Sequence, residues 1–209
     1  MSNAATPTSR RSSTTTTDLA LIATFAALIA VCAVSASLPF GVNGVPVTLQ
    51  LFGIFLAGAV LGAKRGFLSV LLYLVVGAAG LPIFAGGTSG IAPFTGVTGG
   101  YLLAFPFAAA IVGLAVEQAH RRNVVVTAGI VVAGGVVAEL LVWLVGATGI
   151  SLYADTPLLS TIKASFAYVP ADLVKLAIAA VVAASVHRAF PALLTHRDQH
   201  GVSKQGVSN

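Results

Sequence analysis

Asp172 and Lys175 lie three residues apart in the stretch FAYVPADLVKLAIAAVVAASV, residues 166–186, which otherwise reads as a membrane helix. That spacing sends both side chains off the same helix face, about 5–6 Å apart at Cβ. A charge at the centre of a membrane helix costs about 2.5–3.5 kcal/mol on insertion scales, and less near an end. An acid and a base kept together there form a structural ion pair, a snorkelling pair that reaches the surface, or a site for a polar ligand. Pro170 sets their depth. Proline fits the first turn of a helix and disrupts its interior, so this span starts near Val169, just beneath an outer loop. Asp172 then lies at the positive end of the helix dipole. Lys175, one turn deeper, leans back toward it.

Few other residues are candidates for chemistry. Glu139 lies well inside another apolar run, and without a positional argument for the site it reads as a structural group. Trp143 and Tyr153 read as interface aromatics before ligand contacts. The four histidines, His120, His187, His196 and His200, fall in polar segments without ligand spacing, and Cys32 is the single cysteine. Neither a metal nor an internal disulfide is expected. No G-x-x-x-x-G-K-[S/T] pattern occurs, so ATP hydrolysis by this chain alone is not expected. An intramembrane enzyme would need a nucleophile with a base, a metal or paired acids. Glu139 and Asp172 are the one conceivable pair, and nothing in the sequence brings them together. A channel would call for a charged ring, and none is visible.

The elements that position these residues are membrane helices. Of 209 residues, 57% are hydrophobic and 8% charged, far below the roughly 25% charged residues of soluble domains. Residues 1–17, rich in Ser and Thr, read as a disordered cytoplasmic tail. Six apolar runs follow, at 19–38, 47–62, 67–80, 99–116, 124–146 and 169–186, giving an all-α membrane domain over 18–190 and a cytoplasmic C-terminal tail over 191–209. The first could be mistaken for a signal peptide ending at VSA, residues 34–36, but it is longer than an h-region and more spans follow. The second and third are short against a bilayer of about 30 Å. They are expected to tilt little or to be shielded by neighbours, and the charge placement argues against one re-entrant hairpin.

Six spans put both termini on one side. With that side cytoplasmic, Arg10, Arg11, Lys64, Arg65, Arg121, Arg122, Arg188, Arg197 and Lys204 all fall inside, and Lys163 alone falls in an outer loop. The positive-inside rule predicts this asymmetry, so the net charge of +5 marks a membrane face and not a nucleic-acid site. The outer loops, about 39–46, 81–98 and 147–168, are long, low in charge and mostly rich in Gly and Pro. Such loops cap binding sites or line cavities more readily than they merely connect. Ala20, Ala23, Ala27 and Ala30 recur at helical spacing on the first span. Strips of small residues let membrane helices approach closely, whether within the molecule or from a partner.

These segments together resemble the BioY family, the biotin-specific substrate-binding (S) components of energy-coupling-factor (ECF) transporters. The resemblance runs from about residue 19 to 190, through VPVTLQ (45–50), LAGAVLGAKRG (56–66), GLPIFAGG (80–87), TGGYLLAFPFAA (98–109) and FAYVPADLVKLAIAA (166–180), in that order. It implies a six-helix bundle of the S-component type that binds biotin from the outer face of a prokaryotic cell membrane and releases it inward. No cofactor is implied, since biotin is cargo. The family's acid and lysine of the last helix match Asp172 and Lys175. Thr48 and Gln50 carry over as polar groups of the cavity, Phe84, Gly86 and Gly87 from the glycine-rich loop, and Thr98, Gly99 and Tyr101 from the start of the fourth span. The family commonly shows Gly-Pro-Thr where this chain has GVT at 96–98. Some relatives carry an arginine in the glycine stretch where this chain has Thr88, which leaves the anchor for a ligand carboxylate open.

Biotin presents two ureido N–H donors and a carbonyl at one end and a carboxylate at the other. Asp172 suits the N–H groups, and Lys175 suits either oxygen-bearing end. One polar end must be met elsewhere, by loop N–H groups or by Thr88, Ser89 and Gln50, with Phe84, Phe94, Tyr101 and Phe166 as apolar walls. Of the first-helix alanines, Ala23 and Ala27 match the family's motif for a transmembrane coupling protein that carries two ATPase subunits. An S component for another small vitamin is the alternative, and the acid–lysine pair argues against it.

Overall fold

The computed structural model describes residues 11–35, 37–38, 44–119 and 123–190. Helix α1 spans Arg11–Ser35. A short antiparallel ribbon follows, β1 (Ser37–Leu38) with β2 (Val47–Thr48), pairing Ser37 with Thr48. Next come α2 (Gln50–Leu61), α3 (Ala63–Ala78), the single turn α4 (Ala92–Thr95), α5 (Gly99–Ala119), α6 (Val124–Ala154), α7 (Leu158–Ser165) and α8 (Val169–Ala189). The first turns of α1 take in residues 11–17, which the sequence reads as tail. The rest of both expected tails, residues 1–10 and 191–209, lies outside the described residues.

Among the described residues, four stretches are long and apolar enough to cross a membrane: Thr16–Ser35, Gly99–Ala119, Val124–Ala154 and Leu158–Ala189. Helices α2 and α3, of 12 and 16 residues, reach only about 18 Å and about 24 Å at 1.5 Å per residue. The shorter one is shielded by protein. Every residue of α2 but Phe52 is buried, under α1, α3, α5 and α8. Gly62, at φ 82°, reverses the chain between α2 and α3. The outer surfaces of the long helices carry exposed Val31, Leu103, Phe107, Val137, Leu140, Val174, Ile178 and Val181, the apolar exterior expected of helices that face hydrocarbon.

Small residues set the helix spacing. A Cβ on Gly58 would overlap the Ala109 carbonyl of α5, and one on Gly100 would overlap the Val145 carbonyl of α6. Such contacts replace the hydrophobic driving force that is missing between helices in lipid. They also explain the main departure from expectation. The sequence ends the fifth span at residue 146 and treats 147–168 as loop, whereas α6 runs on through Ala154 and α7 occupies most of the remainder. Gly146 and Gly149 are not helix breakers here. Gly146 admits the ring of Tyr101, and Gly149 admits the backbone of Gly100. The helix stops where Asp155 turns left-handed, at φ 50°, shortly before Pro157.

The end of the bundle that carries the basic residues is tied together by polar contacts. Asp18 of α1 pairs with Arg65 of α3 at 3.3 Å. The Ala63 amide donates to Glu117 Oε1 at 2.9 Å, joining α3 to α5. His187 Nε2 donates to the Ala59 carbonyl at 2.7 Å, joining α8 to α2. Asn123 caps α6 by accepting from the Val126 amide at 2.8 Å.

Candidate functional site

At the opposite end lies a cavity of about 880 Å³. Its walls come from the segment around β2, the loop after α3, and α5, α6 and α8. Pro170 does stand in the first turn of α8, which begins at Val169. Asp172 is buried at 9% exposure, and Lys175 Nζ meets its Oδ1 at 2.6 Å. Both line the cavity. The pair satisfies itself, and the low-dielectric surroundings make that contact strong.

The VPVTLQ segment enters α2 with Gln50 at the helix start. Thr48 Oγ1 accepts from the Gln50 amide at 3.2 Å, and Gln50 Nε2 donates to Tyr73 Oη at 2.9 Å. Tyr73 in turn donates to the Ile83 carbonyl at 3.3 Å, which ties α2 through α3 to the glycine-rich loop. That loop folds on itself: Thr88 Oγ1 donates to the Ala85 carbonyl, and the Gly87 amide to the Phe84 carbonyl. Gly86 and Gly87 take φ of 68° and 74°, the left-handed region where a side chain is strained. Phe84, 2% exposed, fills the space that a Cβ on Gly77 would occupy. Thr98 Oγ1 donates to the Pro93 carbonyl at 2.9 Å. Across the opening, Tyr168 Oη donates to the Val45 carbonyl at 2.8 Å and binds the head of α8 to the segment before β2.

Of the residues expected at the site, Asp172, Lys175, Gln50, Thr48, Phe84, Gly86, Gly87, Thr88, Ser89, Thr98 and Tyr101 line this one cavity. Gly99 does not. It opens instead onto a shallower groove between the outer parts of α5 and α6, and it is glycine because a Cβ would overlap the Phe94 carbonyl. Phe94 is a second-rank wall, edge-on behind Phe84 at 5.6 Å between ring centres. Phe166 is 55% exposed and packs on the outside of Trp143 at 5.7 Å.

Glu139, read from the sequence as a structural group, also reaches the cavity. It is 5% exposed and lines the cavity beside Val142 and Trp143. Trp143 and Tyr153, read from the sequence as interface aromatics, also face the cavity. The helical register holds the missed signal. Positions 139, 142, 143 and 146 form one stripe of α6, and Gly146 at its end receives the Tyr101 ring. Among the described residues no group of three or more His, Cys, Asp or Glu side chains could hold a metal ion.

The profile of the BioY family matches residues 4–192, nine-tenths of the chain. The chain belongs to the BioY family. A curated relative from Rhodobacter capsulatus, named biotin transporter BioY, is 38% identical over 193 residues, covering 86% of this chain and 98% of its own. One of the same name from Rhizobium etli is 32% identical, covering 85% of this chain and 97% of its own. A solved structure, the S-component for biotin from an ECF-type ABC transporter, superposes with a TM-score of 0.77 at 29% identity, over 86% of this chain and 95% of that one. Membership in a transporter family and the apolar helices make this a multi-pass membrane protein, and not an enzyme.

Proposed function

We propose that this chain is the substrate-binding component of an ECF-type transporter, capturing biotin at the outer face and delivering it to the cytoplasm of a prokaryotic cell. The observation that carries this reading is the buried Asp172–Lys175 pair, set in an otherwise mostly apolar cavity under a glycine-rich loop, within a family whose relatives are named biotin transporters. Asp172 supplies a charged acceptor for ureido N–H groups, and Lys175 a cationic donor. Thr48, Gln50, Thr88 and Thr98 supply neutral polar groups around them. Phe84, Tyr101, Gly86 and Gly87 shape the apolar wall and the cover.

The orientation is six crossing helices, α1, α2, α3, α5, α6 and α8, with both termini cytoplasmic. The basic residues at one end of the bundle support it. Lipid surrounds the long helices. Ala20, Ala23 and Ala27 are exposed and Ala30 is half-buried, so this strip of α1 is open to a partner helix. It docks a transmembrane coupling protein that carries two ATPase subunits.

Calorimetric titration of the detergent-purified protein with biotin, and with riboflavin and thiamine as controls, tests the substrate. Saturable one-to-one binding of biotin alone is expected. Preference for either control vitamin refutes the assignment.

A further inference from the structure

Among the described residues, four buried side-chain polar atoms have no hydrogen-bond partner within the protein: Tyr101 Oη, Glu139 Oε2, Trp143 Nε1 and Ser165 Oγ. All four residues line the cavity that holds Asp172 and Lys175. Buried polar atoms are nearly always paired, and an orphaned carboxylate oxygen is the most costly of these four to leave bare. The packing fixes where Glu139 stands. Helices α6 and α8 run antiparallel, touching at Gly135 and Leu176, and further outward the turn that leads into α8 meets α6 at the Phe166 and Trp143 rings. One turn outward from the Gly135–Leu176 contact is Glu139 on α6 and Asp172 on α8. The two carboxyl groups are therefore level on neighbouring helices, with the Lys175 ammonium on Asp172.

Two acceptors and one cationic donor at a single depth form the complement of a cyclic urea, which has two N–H donors on either side of a carbonyl. We propose that Glu139 is a second ligand-binding carboxylate: it accepts one ureido N–H while Asp172 accepts the other, and Lys175 meets the carbonyl. This rests on the reading of the cavity as a biotin site. It also places the ligand carboxylate away from this floor, since two acids there repel an anion.

The test is titration calorimetry on the full-length protein, wild type and Glu139→Gln, with biotin, biotin methyl ester and the two analogues methylated on one ureido nitrogen. Glutamine keeps the shape and removes the charge. The substitution should weaken biotin at least about tenfold, the scale of one charge-assisted hydrogen bond, and weaken the methyl ester by the same factor. Biotin binding within twofold of wild type, or tightened binding of biotin but not of its ester, overturns the proposal. In the wild-type protein each methylated analogue should bind at least about tenfold more weakly than biotin. One that binds as tightly as biotin overturns the proposal without any variant, so the test survives a variant that fails to fold. In Glu139→Gln one analogue should lose nothing further, whereas multiplying losses would mark Glu139 as structural. A wild-type protein that ignores biotin refutes the biotin reading itself, and this inference with it.

Discussion

Asp172 and Lys175 hold each other at 2.6 Å, so a ligand must offer each of them at least as much as the other does. A molecule with N–H donors and an oxygen acceptor can insert without leaving either charge bare, which an apolar molecule cannot do. Asp172→Asn should weaken biotin by roughly 2–3 kcal/mol, because it removes a charged acceptor for a ureido N–H. Calorimetry reads this directly, and undiminished binding would exclude the site. The same pairing predicts a stability pattern. Either single variant, Asp172→Asn or Lys175→Met, should lower the melting temperature in detergent more than the double variant, since breaking a buried pair leaves an uncompensated charge and removing both does not. Binding should be lost in all three. A double variant that melts below both singles would mean the pair contributes more to the fold than its two halves cost.

At the scale of elements, the apolar helices were legible because hydropathy, the basic connections and Pro170 act locally. The start of α8 at Val169 and the start of α6 at Val124 match the sequence expectation to the residue. What stayed hidden depends on partners. Glycine at 146 and 149 reads as a loop signal until Tyr101 and Gly100 are seen filling the space beside it. Glu139 reads as structural until α8 is set against α6 and brings Asp172 level with it. Gly99 travels with the motif of the fourth span but lies against the Phe94 carbonyl and outside the main cavity, and Phe94, expected as an apolar wall, stands behind Phe84. These roles are separable by substitution. Gly100→Ala should lower the folded yield and melting temperature, because its Cβ would overlap the Val145 carbonyl of α6 and force the two helices apart. Gly129→Ala, on the same α6 but with nothing within 4 Å of the added Cβ, should be neutral or stabilising by up to about 1 kcal/mol. Equal melting of the two variants would show that α5 and α6 do not depend on this close approach.

For the molecule as a whole, the two ends differ in kind. One end is bound together by Asp18–Arg65, Glu117–Ala63 and His187–Ala59, and the other opens into the cavity. The polar groups proposed to bind ligand are thus gathered at one end of the bundle. The exposed alanines of α1 lie on the face turned away from buried Ala26, Ile29 and Ala33. Bulk added there meets no neighbour within the described bundle, whereas a docked helix would be pushed outward by several ångströms of side chain. On the docking proposed above, Ala23→Leu combined with Ala27→Leu should therefore cut copurification with the proposed coupling protein and ATPase subunits several-fold, and lower cellular biotin uptake in step. The dissociation constant for biotin in detergent should stay within about twofold of wild type, because neither alanine lines the cavity. Affinity and assembly then fail independently, which a collapsed bundle could not reproduce. Undiminished copurification would move the docking face off α1, and a parallel loss of biotin affinity would show that the strip packs within the molecule instead.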